Sequence, residues 1–163
     1  MKRTLNPAHL EALMKMANSG PFFSHVGIRL VEMDYGYAKA ELDIDPKIHI
    51  NTFDSVHGGV NATLIDTAAY WAAYCGQDET SGFTTLDLSV TNLAMARNGR
   101  LTAIAHSVKE GRSICLSDVK VYDEDGRLIA HGTSKLLVLQ GRQAIKDAIA
   151  AAGWDPLPPK FLD

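Results

Sequence analysis

Between Val56 and Gly76 the chain reads Val-His-Gly-Gly-Val-Asn-Ala-Thr-Leu-Ile-Asp-Thr-Ala-Ala-Tyr-Trp-Ala-Ala-Tyr-Cys-Gly. This is a helix of about five turns, long enough to cross a small domain, with apolar or small side chains on nearly every face. A helix of that kind has to be buried, so the rest of the chain must be arranged around it. Asp66 is its one formally charged side chain. A carboxylate in the middle of a buried helix costs several kcal/mol unless something compensates, which makes Asp66 the most informative residue of the sequence.

A structural role for Asp66 is the first alternative: it could pair with a distant lysine or arginine, or bond a hydroxyl and fix packing. Its neighbourhood points elsewhere. The same helix begins with His57, Gly58 and Gly59, and two glycines at a helix start cost stability without supplying a preferred cap. They do allow close approach to free backbone N–H groups that carry positive partial charge. Such a pair can hold a phosphate, a carboxylate or a developing oxyanion. Gly58 and Asp66 are eight residues apart, about 12 Å along one helix, so they cannot both touch one reacting carbonyl. If both are catalytic, the helix start of one subunit must meet the helix middle of another, as happens when two such helices pack antiparallel about a two-fold axis. The spacing therefore predicts an obligate dimer with two equivalent sites.

The segment from Asn51 to Thr67, with Asn51 six residues before His57 and Asp66 nine residues after it, resembles the signature of the hotdog-fold acyl-CoA thioesterases of the PaaI-like (phenylacetate-degradation) branch. The resemblance extends from about Phe22 to Leu139. Ser55 stands where that family often has a glycine in the loop. The resemblance implies an α+β hotdog fold, a curved antiparallel sheet of about six strands wrapped around one central helix. It also implies that the Gly58 N–H and the Asn51 side chain bind the thioester oxygen, while Asp66 of the facing subunit acts as general base or nucleophile. Gly59 would line the same helix start. A family Ser or Thr that holds the water falls on Thr85, with Thr84 and Thr67 as alternatives and Thr67 also close to the substrate. His57 is expected to orient the loop and the Gly58 amide. The turn Gly111, Arg112 and Ser113 resembles the family's nucleotide-side turn, offering N–H groups and a guanidinium suited to phosphate. Coenzyme A would be part of the substrate and no separate cofactor is implied; a tetramer is common among such proteins.

The remaining sequence supports a single domain. With 163 residues, an N-terminal helix (1–21), a central domain (22–140) and a C-terminal helix with a proline-rich tail (141–163) are expected. The net charge is −3 without a basic run, so nothing points to nucleic acid. No apolar run follows Lys2 and Arg3 and none approaches membrane-spanning length, which predicts a cytoplasmic protein with no membrane association. Cys75 and Cys115 lack metal or redox spacing and read as reduced, buried hydrophobes. The histidines form no His-x-x-x-His pattern, so no metal is expected, and no Gly-x-Ser-x-Gly elbow competes with Asp66.

Along the chain, Asn6 caps a helix running to Asn18 that Gly20 and Pro21 stop. Val26 to Asp34 and Tyr37 to Ile44 read as a hairpin through Gly36. Strands follow the central helix at Phe83 to Leu93, Arg100 to Lys109, Ser113 to Tyr122 and Arg127 to Leu139. Asn98-Gly99, Glu110-Gly111 and Asp125-Gly126 separate them, which predicts a consecutive antiparallel meander. Simple alternation would put Thr85 on one face with Asp87, Ser89 and Thr91. Two other functions fit the fold: a hydratase or dehydratase of acyl-CoA, which would want a proline-containing loop before His57, and a non-catalytic acyl-CoA sensor, which would not need Asp66.

Overall fold

The computed structural model describes residues 3–163. Helix α1 spans Pro7–Asn18, capped by Asn6, whose side chain accepts from the Ala8 N–H at 3.1 Å. A second short helix follows, α2, Pro21–Val26, ended by Gly27 at φ 75°. Gly20-Pro21 does stop α1, but the proline also opens α2, because a first-turn position needs no backbone N–H.

Strands β1 (Ile28–Asp34) and β2 (Tyr37–Asp43) form the expected hairpin, and α3 spans Gly58–Tyr74. Strands β3 (Ser81–Asn92), β4 (Arg100–Glu110), β5 (Ile114–Tyr122) and β6 (Leu128–Gln140) complete one antiparallel sheet, and α4 spans Ile145–Ala152. The sheet wraps α3, whose Leu64, Ile65, Ala68, Ala69, Ala72 and Ala73 are fully buried against it. This is the α+β hotdog arrangement. Trimming Leu64 to alanine at such a site costs about 2–5 kcal/mol.

The strand order is β1-β2-β4-β5-β6-β3, which corrects the consecutive meander. Only β4, β5 and β6 follow one another. Asn98-Gly99 is not a β3–β4 hairpin: the Gly99 carbonyl accepts from Ile44 N–H, so this turn delivers β4 to β2 and leaves β3 to cross to the far edge beside β6. There β3 is exposed on both faces from Thr84 to Ser89.

A bulge gives β3 its local geometry. Thr85 opposes Leu136 and Asp87 opposes Lys135, with Leu86 left over. The expected alternation is therefore broken. Thr85 shares the helix-facing side with Leu88, Val90 and Asn92, opposite the inward residues Leu136, Ser134, Gly132 and Ala130, while Asp87, Ser89 and Thr91 face outward.

The tail beyond α4 packs on its own chain. Phe161 bridges to Leu5, and Lys160, only 1% exposed, donates to the carbonyls of Tyr74 at 2.6 Å and Gln77 at 2.7 Å. Its ammonium also lies 3.8 Å from the Tyr74 ring centre, and burial lowers its pKa to about 8. Among the described residues no helix is long and apolar enough to cross a membrane.

Candidate active site

The start of α3 is built by the loop before it. His49, 2% exposed, accepts at Nδ1 from Asp45 N–H at 2.8 Å and donates from Nε2 to the Val26 carbonyl at 2.7 Å. Its own carbonyl accepts from His57 N–H at 2.8 Å. His49 thus ties the hairpin to the helix start, a role invisible in a sequence where it is one polar loop residue among several. Asn51 serves the same loop: Oδ1 accepts from Phe53 N–H at 2.8 Å, and Nδ2 donates to the buried Ser55 hydroxyl at 3.2 Å.

His57 is the N-cap of α3. Its Nδ1 accepts from Gly59 N–H at 2.9 Å, the amide next to the Gly58 amide it was expected to orient. A methyl on Gly59 would stand 2.9 Å from that ring nitrogen, and a methyl on Gly58 2.9 Å from Asn92 Nδ2. A side chain at either position would have to push that neighbour aside. With Gly59 capped, the Gly58 N–H remains without an acceptor among the described residues, at the positive end of the helix.

Asp66 lies two turns further on. It is half-buried, on a stripe of α3 with Ala62, Thr63 and Tyr70 that the sheet leaves open, so this face qualifies the expectation of a helix buried all round. Thr85 Oγ1 donates to Asp66 Oδ1 at 2.9 Å, and Ser134 Oγ approaches the same oxygen at 3.4 Å. The Leu86 bulge is what turns Thr85 toward the acid. Ser134, fully buried on β6, is a further partner that could not be read from sequence, since only strand pairing brings it to α3. Thr84 points away and is exposed, while Thr67 is buried beside Asp66.

A cavity of about 440 Å³ opens at Asp66, lined by Phe22, Phe23, Thr63, Thr67, Tyr70, Trp71 and Leu88 among others. Tyr70 and Trp71 come from α3 and the two phenylalanines from α2. Phe53 stands 83% exposed in the loop before α3 and is not part of this lining. A larger cavity of about 610 Å³ lies under the tail, but its polar groups His9, Tyr74 and Lys160 are already bonded to one another and to the backbone.

At the other end of the sheet, the Gly111 N–H is not free as expected: it donates to the Ile114 carbonyl at 3.0 Å and closes the β4–β5 turn. Arg112 and Ser113 are exposed beside it. Lys135 pairs with Asp87 at 2.8 Å. Burial raises the Cys75 thiol to about 12 and pushes Cys115 up as well, so both are inert.

An acid on an open helix face, a hydroxyl holding it, and a free amide at the start of the same helix form the set that acyl transfer requires. The profile of the Thioesterase superfamily matches residues 53–130, the segment that contains all three. Over this segment, just under half of its length, the chain matches the thioesterase superfamily. A 1,4-dihydroxy-2-naphthoyl-CoA hydrolase of Listeria monocytogenes is 27% identical over 118 residues, 72% of this chain and 95% of that protein. Acyl-coenzyme A thioesterase 13 of Homo sapiens is 28% identical over 125 residues, 75% and 88% of the two chains. A solved thioesterase of Haemophilus influenzae shares the fold with a TM-score of 0.77 over 88% of this chain and 98% of its own, at 24% identity. The reaction class of this thioesterase is thioester hydrolysis.

Proposed function

We propose that this thioesterase hydrolyses acyl-CoA esters to the free acid and CoA, as a dimer of the PaaI-like type in the cytoplasm, where acyl-CoA is handled. The observation that carries the reading is the separation of its two half-sites. Asp66, held by Thr85 and Ser134, is eight residues from the open Gly58 amide, about 12 Å along α3. A two-fold copy joins the amide of one chain to the acid of the other, and the doubly exposed edge strand β3 supplies the surface for that copy. Two such dimers would give the tetramer common to the family.

In this arrangement the Gly58 N–H, with Asn51 close by in the loop, polarises the thioester carbonyl. Thr85 fixes the carboxylate through Oδ1, which leaves Oδ2 for a water proton or for the carbonyl carbon itself. The apolar cavity over α2 and α3 receives the acyl group, and the exposed Arg112 and Ser113 receive phosphate. A thioester is already activated, so positioning and charge stabilisation suffice.

Free-thiol release from aryl and aliphatic acyl-CoA esters, wild type beside Asp66→Asn, tests the reading. Turnover that collapses in the variant with the oligomer intact supports it; a wild type that cleaves none of the esters sinks it. Single turnover in heavy-oxygen water separates the routes, since only direct attack leaves label in Asp66.

A further inference from the structure

The start of α3 holds a polar side chain that this chemistry has not used. Asn92 is the last residue of β3, on the side turned toward α3 because of the bulge at Leu86. Asn61, on the first turns of α3 and 3% exposed, donates from Nδ2 to Asn92 Oδ1 at 2.8 Å. That bond sets which way the Asn92 carboxamide points. With Oδ1 committed, Nδ2 is the atom nearest Gly58: a methyl built there would lie 2.9 Å from Nδ2, 3.6 Å from Cγ and 3.8 Å from Oδ1. Among the described residues Asn92 Nδ2 has no acceptor. Two N–H donors without acceptors therefore lie side by side at the positive end of one helix, one from the backbone and one from an oriented amide.

Resting on the thioesterase reading above, we propose that Asn92 is a catalytic residue: its Nδ2 is a second donor to the thioester oxygen beside the Gly58 N–H, and Asn61 is the positioning residue that aims it. On the general-base route, water oxygen bonds to the thioester carbon as its proton passes to Asp66 of the second copy. The carbonyl π pair moves onto oxygen, where the two N–H groups hold it. When that pair returns to re-form C=O, the C–S bond breaks and the CoA thiolate takes the proton from Asp66. An amide suits the task, since it donates without carrying a charge or losing its proton. Asn51 differs in that both ends of its carboxamide are engaged within the loop. The proposal also gives Gly58 its reason, because any side chain there would push the donor aside.

The test is steady-state thiol release with benzoyl-CoA and octanoyl-CoA for wild type, Asp66→Asn, Asn92→Ala, Asn92→Asp, Asn61→Ala and Asn61→Ala/Asn92→Ala, with circular dichroism and melting temperature for each. Asn92→Ala is expected to lose about 10²-fold in kcat with KM within about threefold. Asn92→Asp keeps the shape, removes the donor and adds negative charge, so it falls lower still and decides the matter if the alanine variant folds poorly. Asn61→Ala loses about tenfold, and the double variant is no worse than Asn92→Ala, because both act on one donor. If both Asn92 variants keep kcat within about twofold while Asp66→Asn is inactive, the proposal is overturned and the thioesterase reading stands. Losses that follow melting temperature and raise KM instead would also overturn it. A wild type that cleaves neither ester defeats both.

Discussion

The two ends of α3 are finished in opposite ways. At the C-terminal end the carbonyls of Tyr74 and Gln77 accept from the buried Lys160, and the Tyr74 hydroxyl meets His9 at 2.8 Å. The positive ammonium lies against the negative end of the helix dipole. At the N-terminal end His57 caps Gly59 alone, and the Gly58 N–H is left open. One end is closed by its own chain for stability; the other is left for an acceptor that the chain does not supply. Equal helix ends can thus have unequal duties, and substitutions at the two should separate rate from stability.

The largest effect is expected between the ends. Asp66→Asn should lower kcat by about 10²–10⁴-fold with little change in melting temperature, measured by thiol release and calorimetry on the same sample. Gly58→Ala drives a methyl against the Asn92 amide and should cost about 10²-fold in kcat, with KM and stability changing far less. Thr85→Ala frees the carboxylate from its 2.9 Å hydrogen bond and should cost about ten- to hundredfold, consistent with a charge-assisted bond of about 1.5–3 kcal/mol. A fall in melting temperature that accounts for any of these losses would erase the contrast between the two ends.

The opposite end should behave in the opposite way. Lys160→Met leaves buried carbonyls unpaired at a cost of about 1–3 kcal/mol, a drop of several degrees for a chain of this size, while kcat stays within about twofold. The same end also responds to pH. Folded Lys160 titrates near 8 against an ordinary 10.5, so above pH 8 the unfolded chain binds more protons than the folded one. The pH-linked part of this residue's stabilisation is therefore absent below about pH 8 and rises toward 10.5. Chemical denaturation of wild type and Lys160→Met across that window should show the gap widening with pH; a constant gap would remove Lys160 as its source.

Much of this was legible in the sequence, for identifiable reasons. Helix α3 announced itself by an apolar surface on nearly every side, the β1–β2 hairpin by alternation, and Asp66 by being charged where charge is costly. Three features were not legible. Helix α2 was hidden because Gly20-Pro21 signals both a stop and a start. The position of β3 was hidden because Asn98-Gly99 is a hairpin dipeptide used here in a different turn. Ser134, His49 and Asn92 were hidden because only the fold brings them to α3, through β6, the loop and the end of β3. Period-two reasoning also failed at Thr85, where one unpaired residue reverses the count.

That unpaired residue has a consequence for length. Thr85 and Asn92 are seven positions apart, an odd interval, and a straight strand would turn one of them away from α3. Removing Leu86 makes the interval even, so the shortened, unbent strand would still present both side chains to the helix. Their spacing along the sheet would not change, because Thr85 and Asn92 already pair with Leu136 and Ala130, six residues apart on β6. Strand β3 in this sense carries one spare residue, and β6 rather than the length of β3 sets both the spacing and the direction of its two functional side chains.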